Sequence, residues 1–287
     1  MSTRHPLLRL RRLVARHPPP GLLPALAALN RLRYLGQARR CPLCNSGLRA
    51  FLPLPGEFRV RLEIRGRSFG AEEFETLSLT DYLCPVCRSA DRDRLCALYV
   101  QRVAPSAPEG GLLLHFAPER ALAAFLRRTL PLRYRSADLL RSDVDDRGVD
   151  LTELGRYATG SVGCFVCCHV LEHVPDDARA MRELCRVLAP TGWGIVLSPV
   201  LTELHPSFED PGATTPAQRQ ERFGQEDHVR VYGKRDFIAR LEAAGLQVAE
   251  LGARFFGEEA LHRAGIAPGS CLYVVHKGSL APAPGGR

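Results

Sequence analysis

The sequence predicts an α/β fold: a mostly parallel sheet with helices on both faces, joined to a small N-terminal module built around a cysteine quartet. Three observations lead there. Between residues 110 and 200, and again from 236 to 276, short apolar runs alternate with segments of helical periodicity, as in a sheet covered on both sides. Ahead of them, two Cys-Pro-x-Cys pairs, Cys41/Cys44 and Cys84/Cys87, bracket residues 41–100. The composition is that of a globular chain, with 287 residues, 45% hydrophobic and 24% charged. This is enough for one full core plus a smaller module, and it excludes collagen-like, coiled-coil and wholly disordered classes.

Residues 1–40 form a basic amphipathic arm. Two Leu/Arg segments flank His17-Pro18-Pro19-Pro20-Gly21, which no helix crosses. The second, 22–35, reads as a helix with Leu23, Leu26, Leu29 and Leu32 along one side. Such a helix either packs on the body through its leucines or lies on an anionic membrane or RNA; packing on the body is the expectation. The net charge of +8 belongs to this arm. Nine of the 39 basic residues are arginines within residues 1–40, which hold no acid, and the rest of the chain carries 30 basic residues against 31 acidic. A near-neutral body argues against nucleic acid as the main partner. Arg9, Arg11 and Arg12 interrupt the first leucines before a signal-peptide core develops, and no apolar run is long enough to span a membrane. A cytoplasmic location is expected, and with it thiols or metal ligands rather than disulfides.

The quartet is the strongest single motif. A two-residue spacer turns both sulfurs of a pair towards one ion, and two pairs complete a tetrahedral shell. Zinc suits four thiolates, with a rubredoxin-like iron site as the alternative. A shell without an open position is structural, and closes hairpins in a segment too small for its own core. The other six cysteines read as core residues: Cys164, Cys167 and Cys168 in a buried strand, Cys96 and Cys185 in helices, Cys271 at a strand start.

Strands are expected at 112–116, 133–137, 162–168, 194–198, 247–251 and 272–276. Helices include 176–188, with Met181, Leu184, Cys185 and Leu188 on one face, and 236–244, opened by Asp236 as N-cap and closed by Gly245. The expected divisions are the arm (1–40), the cysteine module with its connecting helix (41–100), the α/β domain (101–278) with an insertion or lid at 201–235, and a loose Pro-rich tail (279–287).

Ligands of an open α/β sheet bind outside the carboxyl ends of its strands. Those ends read Leu114-His115-Phe116-Ala117-Pro118-Glu119, Ser136-Ala137-Asp138, Val149-Asp150-Leu151 and Cys168-His169-Val170-Leu171-Glu172-His173-Val174. Together with Arg92-x-Arg94 and Phe223-Gly224-x-x-Asp227-His228-Val229-Arg230-x-Tyr232-Gly233, this set resembles a class I AdoMet-dependent methyltransferase of the methyltransferase type 11 group. Within that group it is similar to a bacterial subfamily with N-terminal C-P-x-C pairs. The resemblance spans residues 41–276. It implies a Rossmann-like class I methyltransferase sheet with a zinc-ribbon-like module, and S-adenosyl-L-methionine as cofactor. It further implies that His115, Ala117 and Glu119 line the methionine end, that Asp138 meets the ribose hydroxyls, and that Asp150 and Leu151 lie beside the adenine. His169 would face the methyl donor. Two departures stand out. The first loop holds Ala117-Pro118-Glu119 where relatives carry glycines, so Glu119 is expected to contact the cofactor's ammonium. Thr191 stands where relatives have a glycine.

A hydroxyl acceptor calls for a base, and imidazoles titrate near neutrality. His169, His228 and Asp227 are therefore the candidate catalytic residues. Arg230, as an anion anchor, Tyr232, as a wall, and His173 are the candidate acceptor residues; an Asp–Arg pair that pins the insertion is the alternative for this group. The expected activity is methyl transfer to a hydroxyl of a small molecule or glycan. An RNA methyltransferase gripping phosphates through the module and arm, and a non-catalytic zinc-binding scaffold, are the alternatives.

Overall fold

The computed structural model describes residues 22–104 and 110–277. The arm's first segment and the Pro-rich tail lie outside the described residues. The chain opens with α1 (Leu22–Arg33), then β1 (Leu35–Arg40), which pairs antiparallel with β2 (Gly47–Leu48). The helix ends short of the expected Leu35 because that residue begins the hairpin whose turn carries Cys41 and Cys44. Of the leucines expected to pack, Leu29 and Leu32 are 62% and 75% exposed, and Asn30 Nδ2 ties this end of α1 to the Pro85 carbonyl at 2.9 Å; the side chains of Leu23 and Leu26 lie outside the described residues.

A second hairpin follows, β3 (Arg61–Ile64) with β4 (Arg67–Gly70). Its turn, Arg65-Gly66, has φ of 52° and 79°, the left-handed pair that matches strand twist. Alternation buries Leu62, Ile64 and Phe69 on one face. Helix α2 (Asp91–Val103) starts where Asp93 accepts the Ala90 N–H at 2.7 Å, and it buries Leu95, Cys96, Tyr99 and Val100.

The α/β part runs β5 (Leu112–Phe116), α3 (Arg120–Thr129), β6 (Arg133–Asp138), β7 (Asp146–Arg147), β8 (Val162–Cys168), α4 (Asp177–Val187), β9 (Leu188–Leu197), β10 (Val200–Leu201), β11 (Phe208–Glu209), α5 (Pro216–Phe223), β12 (Arg230–Gly233), α6 (Lys234–Ala243), β13 (Leu246–Leu251), α7 (Ala253–Phe256), α8 (Glu258–Arg263) and β14 (Leu272–Lys277). Seven of these strands form one sheet in the order β13-β14-β9-β8-β5-β6-β7. The strands from β9 to β7 are parallel, and β14 is inserted antiparallel to both neighbours. Strand β8 is almost wholly buried because helices cover both faces, and its three cysteines are core residues, with Cys168 Sγ 3.9 Å from Cys96 Sγ. Asp176 caps α4 through the Arg179 N–H, as its position suggested. For α6 the N-cap is Gly233 instead of Asp236. Asp236 sits in the first turn, where a carboxylate complements the helix's positive end.

Two cores divide the molecule differently from the sequence. Leu43, Leu48 and Phe51 of the cysteine segment join the sheet's own core. Hairpin β3–β4 instead joins the insertion after β9: Leu62, Ile64 and Phe69 pack with Leu201, Leu204, Phe208, Phe223 and Val231. Strand β12 pairs with β10 and β11, and the Glu75 N–H donates to the Val200 carbonyl at 2.9 Å. Two distant stretches thus form one cap beside the strand ends.

Arg94 clasps the cysteine segment to the end of the chain. It is fully buried and donates to the carbonyls of Asp81, Tyr82, Ser89, Ala264 and Gly265, with its guanidinium 3.9 Å from the Phe51 ring centroid. Gly265 has φ +64°, and a Cβ there would lie 2.3 Å from the Phe51 ring. Glycine therefore meets both demands of this contact. No helix among the described residues is long and apolar enough to cross a membrane.

Candidate functional site

The four cysteines converge. Their sulfurs all lie within 4.8 Å of one another, with Cys41–Cys87 at 3.6 Å and Cys44–Cys84 at 3.9 Å. A tetrahedron of metal–sulfur bonds near 2.3 Å has sulfur–sulfur edges of about 3.8 Å. The two pairs are built alike. In each, the residue after the second cysteine is left-handed (Asn45 φ 58°, Arg88 φ 64°) and donates its N–H to the first cysteine's carbonyl, at 2.8 and 3.0 Å. The next residues, Ser46 and Ser89, set their hydroxyls 3.3 and 3.2 Å from Cys44 and Cys87. Their close contacts split the four thiols, holding Cys44 and Cys41 below the usual range and Cys84 and Cys87 above it.

At the sheet's carboxyl edge, β5 and β8 are each followed by a left-handed residue that is not glycine: Ala117 (φ 45°) and His169 (φ 54°). This costs about 1–2 kcal/mol each, and such strain concentrates at functional sites. Ala117 therefore makes this left-handed turn without glycine. Beyond it, His115 is buried between Tyr134 Oη at 3.0 Å and Glu119 Oε2 at 3.1 Å. His115 consequently orients Glu119 instead of facing the crevice. Burial opposes the ionised form of Glu119, but His115 and Arg92 hold its carboxyl below the usual range. Arg92 lies 3.8 Å from Glu119, and its buried Nε has no hydrogen-bond partner. A carboxylate beside an unsatisfied guanidinium is complementary to a zwitterionic amino-acid group. The sequence placed Arg92 in a motif without assigning it a role, and its depth comes only from the fold.

Asp138 ends β6 with Oδ1 accepting the N–H groups of Leu140 and Arg141, both at 2.8 Å; Oδ2 makes no described hydrogen bond. Asp150 is exposed and caps its own turn through Thr152. Leu151 is buried in the sheet's core.

Between the cap and the ends of β8 and β9 lies a cavity of about 350 Å³, lined among others by Phe74, Arg92, His169, Glu172, His173, Ser198, Phe223 and His228. His169 alone of the cofactor candidates lines it. Burial and Arg92 keep the His169 imidazole well below its usual range, and burial with His173 nearby pushes His228 down to about 4. Both are neutral at physiological pH. The His173 and His228 rings meet edge-on at 4.7 Å.

Two candidate acceptor residues and one candidate catalytic residue are engaged in other contacts. Arg230 borders the cavity but is 3% exposed, and four of its five N–H groups are taken by the carbonyls of Leu171, Val174 and Pro175 and by Glu209. Tyr232 is completely buried and donates to Asp177 at 2.6 Å, behind the cavity instead of forming its wall. Asp227 is 64% exposed at its side chain and faces His173 at 3.5 Å, so it positions a neighbour. The insertion is pinned by arginine as the alternative held, with Asp177 and Glu209 as the acids. Glu172, which the sequence gives no role, is 1% exposed and lines the cavity.

No curated protein matches the chain. Among solved structures it is similar to the [4+2]-cyclase SpnF (16% identity, 64% of this chain and 82% of that one, TM-score 0.43). It is also similar to a Haemonchus contortus phosphoethanolamine N-methyltransferase 2 complex (11%, 63% and 52%, 0.42). A third is the geranyl diphosphate C-methyltransferase of Streptomyces coelicolor A3(2) (14%, 63% and 79%, 0.39). A family model described as a methyltransferase domain matches residues 89–251, the stretch that holds α2, the parallel strands and the insertion. With five parallel strands and an antiparallel β14 set between β9 and β13, the chain belongs to the methyltransferase-domain family.

Proposed function

We propose that the protein is an AdoMet-dependent methyltransferase acting on a hydroxyl of a small molecule or glycan. The observation that carries this reading is the position of His169, which belongs both to the strand-end crevice and to the wall of the cavity under the cap. The cofactor would supply an activated methyl group on a sulfonium; the residues here would bind, orient and dehydrate. Asp138 Oδ2 accepts from the ribose hydroxyls, Glu119 takes the ammonium and Arg92 the carboxylate, and Ala117 lets the backbone pass closely. Asp150 and Leu151 border the adenine. His169, neutral and facing the cavity, accepts the acceptor's proton. Orientation contributes about 7–11 kcal/mol and a positioned base about 10²–10⁴-fold.

A cavity of about 350 Å³ suits a small acceptor or a single sugar unit, which favours it over an RNA duplex. The four thiolates hold a structural zinc, since their spacing fits the tetrahedron and no ligand position is left open.

Calorimetric titration with AdoMet tests the reading. We expect micromolar binding by wild-type protein and a loss of about 10- to 100-fold in Asp138→Ala, roughly 1.4–2.7 kcal/mol. Folded, metal-loaded wild-type protein that binds no AdoMet would leave only the scaffold alternative.

A further inference from the structure

Glu172 sits in an electrostatic position that the protein alone leaves unresolved. It is 1% exposed. Its Oε2 accepts the Ser198 hydroxyl at 2.9 Å, while Oε1, equally buried, has no hydrogen-bond partner. Around Oε1 lie His169 Nδ1 at 3.4 Å and His173 Nε2 at 4.0 Å. One atom each of Glu172, His173 and His228 lies within 4.8 Å of the others.

The tautomer of His173 sharpens the point. Its Nδ1 faces the Asp227 carbonyl at 3.3 Å and the Asp227 carboxylate at 3.5 Å. Both are acceptors, so Nδ1 carries the proton and Nε2 turns a lone pair towards Glu172 Oε1. A lone pair facing an unpartnered carboxylate oxygen in a buried site is repulsive, and either a proton on the carboxyl, which burial favours, or a cation between the two relieves it. The carboxylate behind the imidazole is also the second partner that orients a metal-binding histidine. The fold holds the remaining ligand in place: the Val229 N–H donates to the Glu172 carbonyl at 2.9 Å, anchoring His228 against the turn that carries the other two.

We propose that Glu172, His173 and His228 form a second metal site, for a first-row divalent transition cation, whose open positions face the cavity and take the acceptor's hydroxyl oxygen. Two nitrogens and one carboxylate oxygen suit zinc, manganese, iron or cobalt better than magnesium or calcium. Three protein ligands are the mark of an open, Lewis-acidic site, in contrast to the closed cysteine shell. The role in acceptor binding rests on the methyltransferase reading; the metal site itself does not. His169, 3.4 Å from the same carboxylate, is then placed to take the hydroxyl proton, while Asp227 is a positioning residue for His173.

Cobalt(II) titration of full-length protein with its cysteine site filled tests this. We expect one further equivalent, with weak visible d–d bands and no sulfur-to-cobalt charge transfer. Glu172→Gln and His228→Ala should each weaken that equivalent by more than about 100-fold, and His173→Ala, at a half-exposed position, should do the same where a buried substitution harms folding. Circular dichroism and thermal melting identify the folded variants. Absence of a second equivalent, a thiolate charge-transfer band, or equal binding by folded variants overturns the proposal. AdoMet titration on the same samples separates the two readings. Cofactor binding without the second cobalt defeats the metal site alone, and the reverse defeats the methyltransferase reading while leaving the site.

Discussion

The cysteine quartet and the Glu172 cluster are both groups of metal-binding side chains, but they are built in opposite ways. The quartet is closed: two hairpin turns of matching hydrogen-bond pattern present four sulfurs at tetrahedral spacing, with serine hydroxyls behind them. It joins Leu43, Leu48 and Phe51 to the sheet's core, and its role is to hold chain together. The cavity cluster is open: a buried carboxylate oxygen lacks a partner, and two imidazoles line a void. A satisfied polar group stabilises a fold, whereas an unsatisfied buried one persists at a cost of about 1–3 kcal/mol. On the proposed reading, the difference separates a staple from a reaction site.

The largest effect should come from breaking the staple. Zinc in small thiolate modules contributes on the order of 10 kcal/mol to folding, so Cys84→Ser, or stripping by a strong chelator, should lower the melting temperature by more than about 10 °C. An unchanged melting curve in metal-stripped protein would mean that the core alone holds the segment.

Next comes the pair Arg94 and Arg92, two residues apart on one helix turn. Arg94→Met leaves the carbonyls of Asp81, Tyr82, Ala264 and Gly265 without their described donor and should cost about 3–5 kcal/mol in urea unfolding, with AdoMet affinity per folded molecule unchanged. Arg92→Met removes the Tyr82 hydrogen bond and the charge facing Asp93 and Glu119 and should cost about 1–3 kcal/mol in stability, yet reduce AdoMet affinity by about tenfold or more. Opposite outcomes would exchange the assigned roles of clasp and ligand.

The smallest stability effect is expected at the cavity floor. In metal-free protein, Glu172→Gln removes a buried acid whose carboxyl burial already pushes up and keeps an acceptor for Ser198. Stability should change by less than about 1 kcal/mol or rise, while methyl transfer, once an acceptor is found, falls by more than about 100-fold. A loss of several kcal/mol would make Glu172 a structural residue and erase the contrast with the quartet.

Much of this was legible in the amino-acid order, because the signals are local. Alternating apolar runs located the main strands of the sheet within a few residues, Asp176 announced α4, and the Cys-Pro-x-Cys spacing announced the convergence of four sulfurs. These depend on backbone geometry within one element or one turn. Strand ends also pointed to Ala117, Asp138 and His169, since a parallel sheet directs its ligand loops to one edge.

What the order of residues could not supply was partnership over distance. That hairpin β3–β4 belongs to the insertion after β9, 130 or more residues away, follows from two apolar faces that neither segment covers alone. The same holds for Arg94 and Arg230: as sequence, each is one arginine among 37, and only the carbonyls gathered around them make the first a clasp and the second a pin. Glu172 drew no role from the sequence because nothing local marks a carboxylate that will be buried. Composition and local periodicity determined the layers, the sheet and the cysteine staple. Tertiary structure decided which polar groups are satisfied and which are left facing a cavity, because desolvation and hydrogen-bond partnership depend on everything that packs around a side chain and on little of what precedes it in the chain.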